Sequence, residues 1–142
     1  MFYGVPGLGR DIDELAETLR THIPDGCHLS ILGTSGGGIA ATQLAERLNA
    51  GRLALFSPAF RFKDIAAVSD GAALDSTNAL LYFSARHEKD MELADEWRAT
   101  VLSQSIRLLD TDSHGTLSYV AAAGQLGRLI GSLRGGPPPI LS

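Results

Sequence analysis

The stretch Leu29 to Leu44, LSILGTSGGGIAATQL, decides the fold. Its first half is an apolar, strand-like run that stops at Gly33-Thr34-Ser35-Gly36-Gly37, and a helix-like pattern begins at once. The five residues read G-x-S-x-G, and their value lies in where they stand. A sharp strand-to-helix turn lifts a serine hydroxyl above the carboxyl end of a sheet. Glycines serve there because side chains flanking the turn would meet the neighbouring strand and helix, while the serine itself must accept unfavourable backbone angles. Two rival readings exist. One is a glycine-rich turn with no chemistry. The other is a dinucleotide fingerprint, since Gly36-Gly37-Gly38-Ile39-Ala40-Ala41 satisfies G-x-G-x-x-A. That fingerprint calls for an acidic residue about 20 positions on, closing the next strand. The next strand, RLALFSPAF, has none, and another βα unit precedes this one where a nucleotide fold would open.

Outward from this turn, strand and helix patterns alternate. MFYG is a short apolar run, and Asp11 then caps a helix, with Glu14 completing an acidic capping box. Ile12, Leu15, Ala16 and Leu19 give that helix one apolar face. The helix after the turn runs to Asn49-Ala50-Gly51, and RLALFSP is the next strand. A short helix is expected around Ile65 to Val68, then the strand ALLYFSA, a helix from Met91 to Leu102, the strand SIRLLD, and one final helix from Leu117 to Leu133. Strands apolar on both faces and alternating with helices imply a parallel sheet with right-handed crossovers. The expectation is an α/β fold with about five parallel strands over residues 1–134, and a Gly/Pro-rich disordered tail over 135–142.

Composition narrows the function. With 142 residues, 12 basic and 16 acidic side chains and a net charge of −4, the chain suits one domain with a single core. There is no basic block for a nucleic acid, no apolar run long enough to span a membrane, and no secretory signal pattern at the start. Cys27 is alone, which fits a reducing compartment, and is expected to be a small, partly buried filler.

In an open parallel sheet the functional crevice lies beyond the carboxyl ends of the strands. Ser35, His114, Asp90 and His87 all follow strands, so they belong to that end. His22 and His28 precede a strand and belong to the other. A serine hydroxyl needs an imidazole to take its proton, and the imidazole needs a carboxylate to fix its tautomer. Ser35, Asp90 and His114 follow three different strands in the order Ser, acid, His. Asp90 is favoured as the acid, with Glu88 and Asp64 open as alternatives. Asp110 and Asp112 stand too near His114 in sequence to reach its far nitrogen. Asp90 can also be read as a helix N-terminal acid, and Trp97, Tyr82 and Phe83 as core.

On these residues the chain resembles the α/β-hydrolase superfamily over nearly all of residues 1–133. The resemblance implies a three-layer or partly two-layer hydrolase-like fold. It makes Ser35 the nucleophile, His114 the base and Asp90 the acid. Gly4-Val5-Pro6-Gly7-Leu8-Gly9 is similar to the loop that gives one oxyanion-hole amide, here Val5, and the amide of Gly36 is the other. The implied activity is hydrolysis of an ester or thioester through an acyl-serine, with no cofactor and no metal. A small-molecule or acylated substrate and a cytoplasmic location go with it. GTSGGGIAATQLAERL followed by LALFSP is more loosely similar to hydrolase-like domains of bacterial polysaccharide-biosynthesis proteins. That likeness adds two alternatives: an acyltransferase, and a non-catalytic binding or assembly module. The family usually has about eight strands, so a five-strand sheet with helices mostly on one face is expected to leave the other face bare and apolar. Homodimerisation, or association with a missing N-terminal portion, would cover it.

Overall fold

The computed structural model describes residues 4–74, 78–101 and 105–134. Four strands form its sheet: β1 (Ser30–Thr34), β2 (Arg52–Phe56), β3 (Ala79–Ser84) and β4 (Ile106–Leu109). They lie side by side in chain order and every pair is parallel. Thr34 stands opposite Phe56, Phe56 opposite Tyr82 and Ser84 opposite Leu109, so the strands end together and their following loops share one rim. The sheet therefore has four strands among the described residues, not five. Of the expected first strand, MFYG, the first three residues lie outside the described ones, and Gly4 is irregular. The expected tail at 135–142 lies outside them too.

Side chains alternate across the sheet with a period of two, and both faces are apolar, as a parallel sheet covered on both sides requires. Leu53, Leu55, Leu81 and Phe83 point to one face. There they meet α2 (Gly38–Arg47), α3 (Phe62–Ala66) and α4 (Glu88–Arg98) through Ala41, Ala45, Ile65, Ala94 and Trp97. Trp97 is fully buried, donates its indole N–H to the Phe60 carbonyl at 3.1 Å, and meets Phe60 and Phe62 edge-on. A large aromatic so placed contributes about 3–5 kcal/mol against alanine. Helix α1 (Ile12–Arg20) packs on α2 through Ile12, Leu15 and Ala16. Asp11 caps it by accepting from the N–H groups of Asp13 and Glu14 at 3.0 and 2.9 Å. The reciprocal bond is offset by one residue: the Glu14 carboxylate takes the N–H of Arg10 instead of that of Asp11.

The second face carries Ala54, Phe56, Leu80 and Tyr82, and here the expectation of bare sheet is corrected. The C-terminal segment is not one helix but two, α5 (Thr116–Ala122) and α6 (Leu126–Leu133). Gly124 breaks the run with a left-handed φ of 71°, a conformation that costs glycine little. The bend lets Val120, Leu129 and Leu133 all press on the sheet, leaving its four central residues at most 3 % exposed. Among the described residues, the large apolar side chains left in solvent on this side are Leu32 on the edge strand and Leu126 and Ile130 on α6. No helix among the described residues is long and apolar enough to cross a membrane.

Candidate functional site

The rim of the sheet gathers the serine, the acid and the imidazole. Ser35 leaves β1 with φ 46° and opens a single 3₁₀ turn, Ser35–Gly37, that runs straight into α2. A non-glycine residue in that region costs about 1–3 kcal/mol and persists only where the surroundings impose it. The surroundings are tight at two glycines. A Cβ on Gly33 would stand 2.7 Å from the Ala41 Cβ, and one on Gly38 would stand 2.6 Å from the Phe60 ring. The expectation that both motif glycines avoid clashes holds for Gly33 alone. Gly37 faces open space, and the close approach falls one residue later, at Gly38.

Ser35 Oγ lies 3.1 Å from His114 Nε2, and His114 Nδ1 lies 2.6 Å from Asp90 Oδ1. The His114 ring is 38 % exposed, while the Asp90 side chain is 1 % exposed. Asp90 reaches this position because α4 begins earlier than its apolar spacing predicts, at Glu88 with His87 as its cap. The acid thus sits in the first helical turn, facing inward.

A buried carboxylate must be compensated by hydrogen bonds. Oδ2 of Asp90 accepts from the Ser57 hydroxyl at 2.6 Å and the Ser84 N–H at 3.0 Å, leaving Oδ1 to His114. Burial alone would raise this carboxyl. The donated bonds from Ser57, Ser84 and His114 outweigh it and hold the group below the ordinary carboxylate range. Ser57 is held by Thr116 Oγ1 at 2.9 Å and by its own N–H on the Tyr82 carbonyl at 2.7 Å. It is a residue of the site that sequence reasoning missed. Its signal was available: a serine ending a strand beside β1, on the same rim. Like Ser35 it is left-handed, at φ 42°.

His87 stands on the other side of the acid. Its Nδ1 is 3.1 Å from Asp90 Oδ1 and caps α4 by accepting from the Asp90 N–H at 3.4 Å. His87, Asp90 and His114 offer three ligand atoms within 4.8 Å of one another, a spacing that a metal ion could use. Asp90 Oδ1 and His114 Nδ1 are already bonded to each other, so an ion would have to break that contact.

The other sequence candidates lie elsewhere. Asp64, the third residue of α3, accepts the N–H of the helix cap Arg61 at 2.8 Å. Glu88 is exposed on α4, Asp110 pairs with Arg86 at 3.1 Å, and Asp112 is exposed. His22 and His28 are exposed at the opposite end of the sheet. Cys27 is exposed as well, a correction to the filler reading. It closes the surface turn begun at Pro24, where nothing packs over it.

Val5 also requires correction. Its N–H donates to the Gly9 carbonyl at 2.7 Å within the small loop Val5–Gly9, so it is spent and cannot serve an oxyanion. Gly4, not Val5, is the loop residue on the wall of the cleft beside Gly36. Gly36 is placed differently from Val5. As the second residue of the turn that opens at Ser35, its N–H precedes the first intrahelical acceptor.

Two clefts lie at this turn, one lined by Ser35 itself and the other beginning at the next residue, Gly36. One, of about 590 Å³, opens past Gly36 and Gly37 and is walled by Ile39, Ala40 and Val68. The other, of about 250 Å³, includes Thr34, Ser35, Phe56, His114 and Leu117. Chemically, the arrangement can pass the Ser35 proton to His114 and hold the resulting imidazolium against a buried anion. Compared with family models, curated proteins and solved structures, the chain matches none.

Proposed function

We propose that the protein is a serine hydrolase that cleaves an ester or thioester through an acyl-Ser35 intermediate. One observation carries this reading: the unbroken hydrogen-bonded run from Ser35 Oγ through both nitrogens of His114 to a carboxylate that is almost fully buried. Ser35 attacks the carbonyl carbon while His114 takes its proton as general base. His114 returns that proton to the departing oxygen or sulfur, and water then repeats the sequence on the acyl-serine. Asp90 fixes the tautomer, with its N-acceptor side turned to the serine, and stabilises the imidazolium. The Gly36 N–H is the oxyanion donor, and the loss of one such donor costs about 3 kcal/mol of barrier. The cytoplasmic setting expected from the lone thiol belongs to this proposal.

Labelling with a fluorophosphonate probe tests it. Ser35 alone should be modified, since only an activated hydroxyl reacts quickly, and Ser35→Ala should abolish both the label and turnover of an aryl ester. Undiminished labelling in Ser35→Ala would remove the nucleophile, and the proposal with it.

A further inference from the structure

We propose that the cleft beside Gly36 and Gly37 receives the acyl limb of the substrate, that this limb is apolar and uncharged, and that the leaving alcohol is small. This rests on the hydrolase reading above. The assignment of limbs comes from where the proton must go. When the tetrahedral adduct on Ser35 collapses, the bond to the alcohol oxygen breaks and His114 delivers to that oxygen the proton it took from Ser35. The leaving oxygen must therefore sit on the His114 side, in the cleft of about 250 Å³. The acyl limb points away from it, past Gly36, into the cleft of about 590 Å³.

The walls of the larger cleft define the occupant. Ile12, Ile39, Ala40 and Val68 present apolar surface, and the volume suits a chain of several methylenes. Asp11 and Asp64 stand at its edge, and among the described residues no lysine or arginine lines it. Both carboxylates accept from backbone N–H groups at helix starts at 2.8–3.0 Å, which holds the two side chains at that edge. An anionic acyl limb meets two like charges and no partner. The Val68 wall is itself held in place, because the buried Gln43 side-chain amide donates to the Val68 carbonyl at 3.1 Å.

Isomeric esters separate the two limbs. Methyl nonanoate puts the long chain on the acyl side, and octyl acetate puts it on the alcohol side. Each methylene moved out of water is worth about fourfold in association. Methyl nonanoate should therefore be cleaved with a kcat/KM at least about tenfold above that of octyl acetate. Monomethyl suberate, as long as methyl octanoate but carrying a terminal carboxylate, should be at least about tenfold slower than methyl octanoate. Val68 is 47 % exposed, so Val68→Trp should fold while narrowing the cleft. It should lower kcat/KM for methyl nonanoate about tenfold more than for methyl acetate. Parity or reversal between the isomers, or turnover of neither while Ser35 still reacts with fluorophosphonate, overturns the limb assignment alone. Absence of turnover on every ester together with an unlabelled Ser35 overturns the hydrolase reading and this assignment with it.

Discussion

Asp90→Asn should silence the protein without unfolding it, and the reason lies in which oxygen is fixed. Oδ2 accepts from two donors, the Ser57 hydroxyl and the Ser84 N–H, and the backbone N–H, which can only donate, cannot face an NH₂ group. The asparagine must therefore place its carbonyl oxygen there and turn its amide nitrogen toward His114 Nδ1, now 2.6 Å from Oδ1. An amide N–H at that point forces Nδ1 to accept, which puts the ring proton on Nε2. Nε2 then faces Ser35 as a donor and cannot take its proton. A wrong tautomer of this kind costs up to about four orders of magnitude in turnover, or about 5.5 kcal/mol of barrier. Stability should fall by only about 1 kcal/mol, since the side chain is nearly isosteric and both fixed donors keep an acceptor. The assay is aryl-ester turnover beside a thermal melt, with Glu88→Gln and Asp64→Asn as controls that should stay near the parent rate. An Asp90→Asn protein that keeps more than about a tenth of its activity would refute the reasoning.

Ser57→Ala removes a donor from a buried anion and should cost about 2 kcal/mol in denaturant unfolding. The folded pKa of Asp90 lies below the unfolded value of about 3.9, so its ionisation adds stability above that pH and loses it as pH falls through the folded value. Ser57→Ala raises the folded value, so acid unfolding followed by circular dichroism should begin at higher pH than in the parent; coincident acid transitions would contradict this. Tyr82 is fully buried against Phe56, with ring centroids 4.5 Å apart, and its hydroxyl finds no partner among the described residues. Tyr82→Phe should thus be neutral or raise stability by about 1 kcal/mol, and a loss larger than that in a thermal melt would show that the hydroxyl is satisfied.

Much of the fold was legible because parallel strands declare themselves. LALF and LLYF are apolar at every position, and a strand that reads so must be covered on both faces. The helices between them follow from spacing and capping, though their ends do not. Helix α4 starts at Glu88 because His87 caps it, a role outside the usual Ser, Thr, Asp and Asn set. The C-terminal break was hidden for a different reason. Residues 117–133 keep an apolar pattern through Gly124, and only the need to lie flat on the sheet makes the chain bend there. That bend decides whether the second face is bare, so one glycine separated the expected surface from the observed one.

The site was legible where it depends on strand order and illegible where it depends on backbone detail. Ser35, Asp90 and His114 follow β1, β3 and β4, and the aligned ends of a parallel sheet bring such residues to one rim. Val5 was misjudged because a loop's amides point where its own turn sends them, and this turn closes on itself. Ser57 was overlooked because its partner is 33 residues away. It is nevertheless the residue that, under the proposed function, separates the acid from a chance carboxylate. A glycine-rich turn can expose a serine by accident, and a loop histidine can drift within reach of it. A carboxylate at 1 % exposure does not arise so cheaply, for its charge must be met by donors aimed at both oxygens. Glu88, two residues away, lies in solvent and needs none. Around Asp90, a left-handed serine from β2, the last amide of β3 and the His114 ring all converge. Three separate elements thus serve one anion, and that convergence is what the proposed hydrolase requires of its acid.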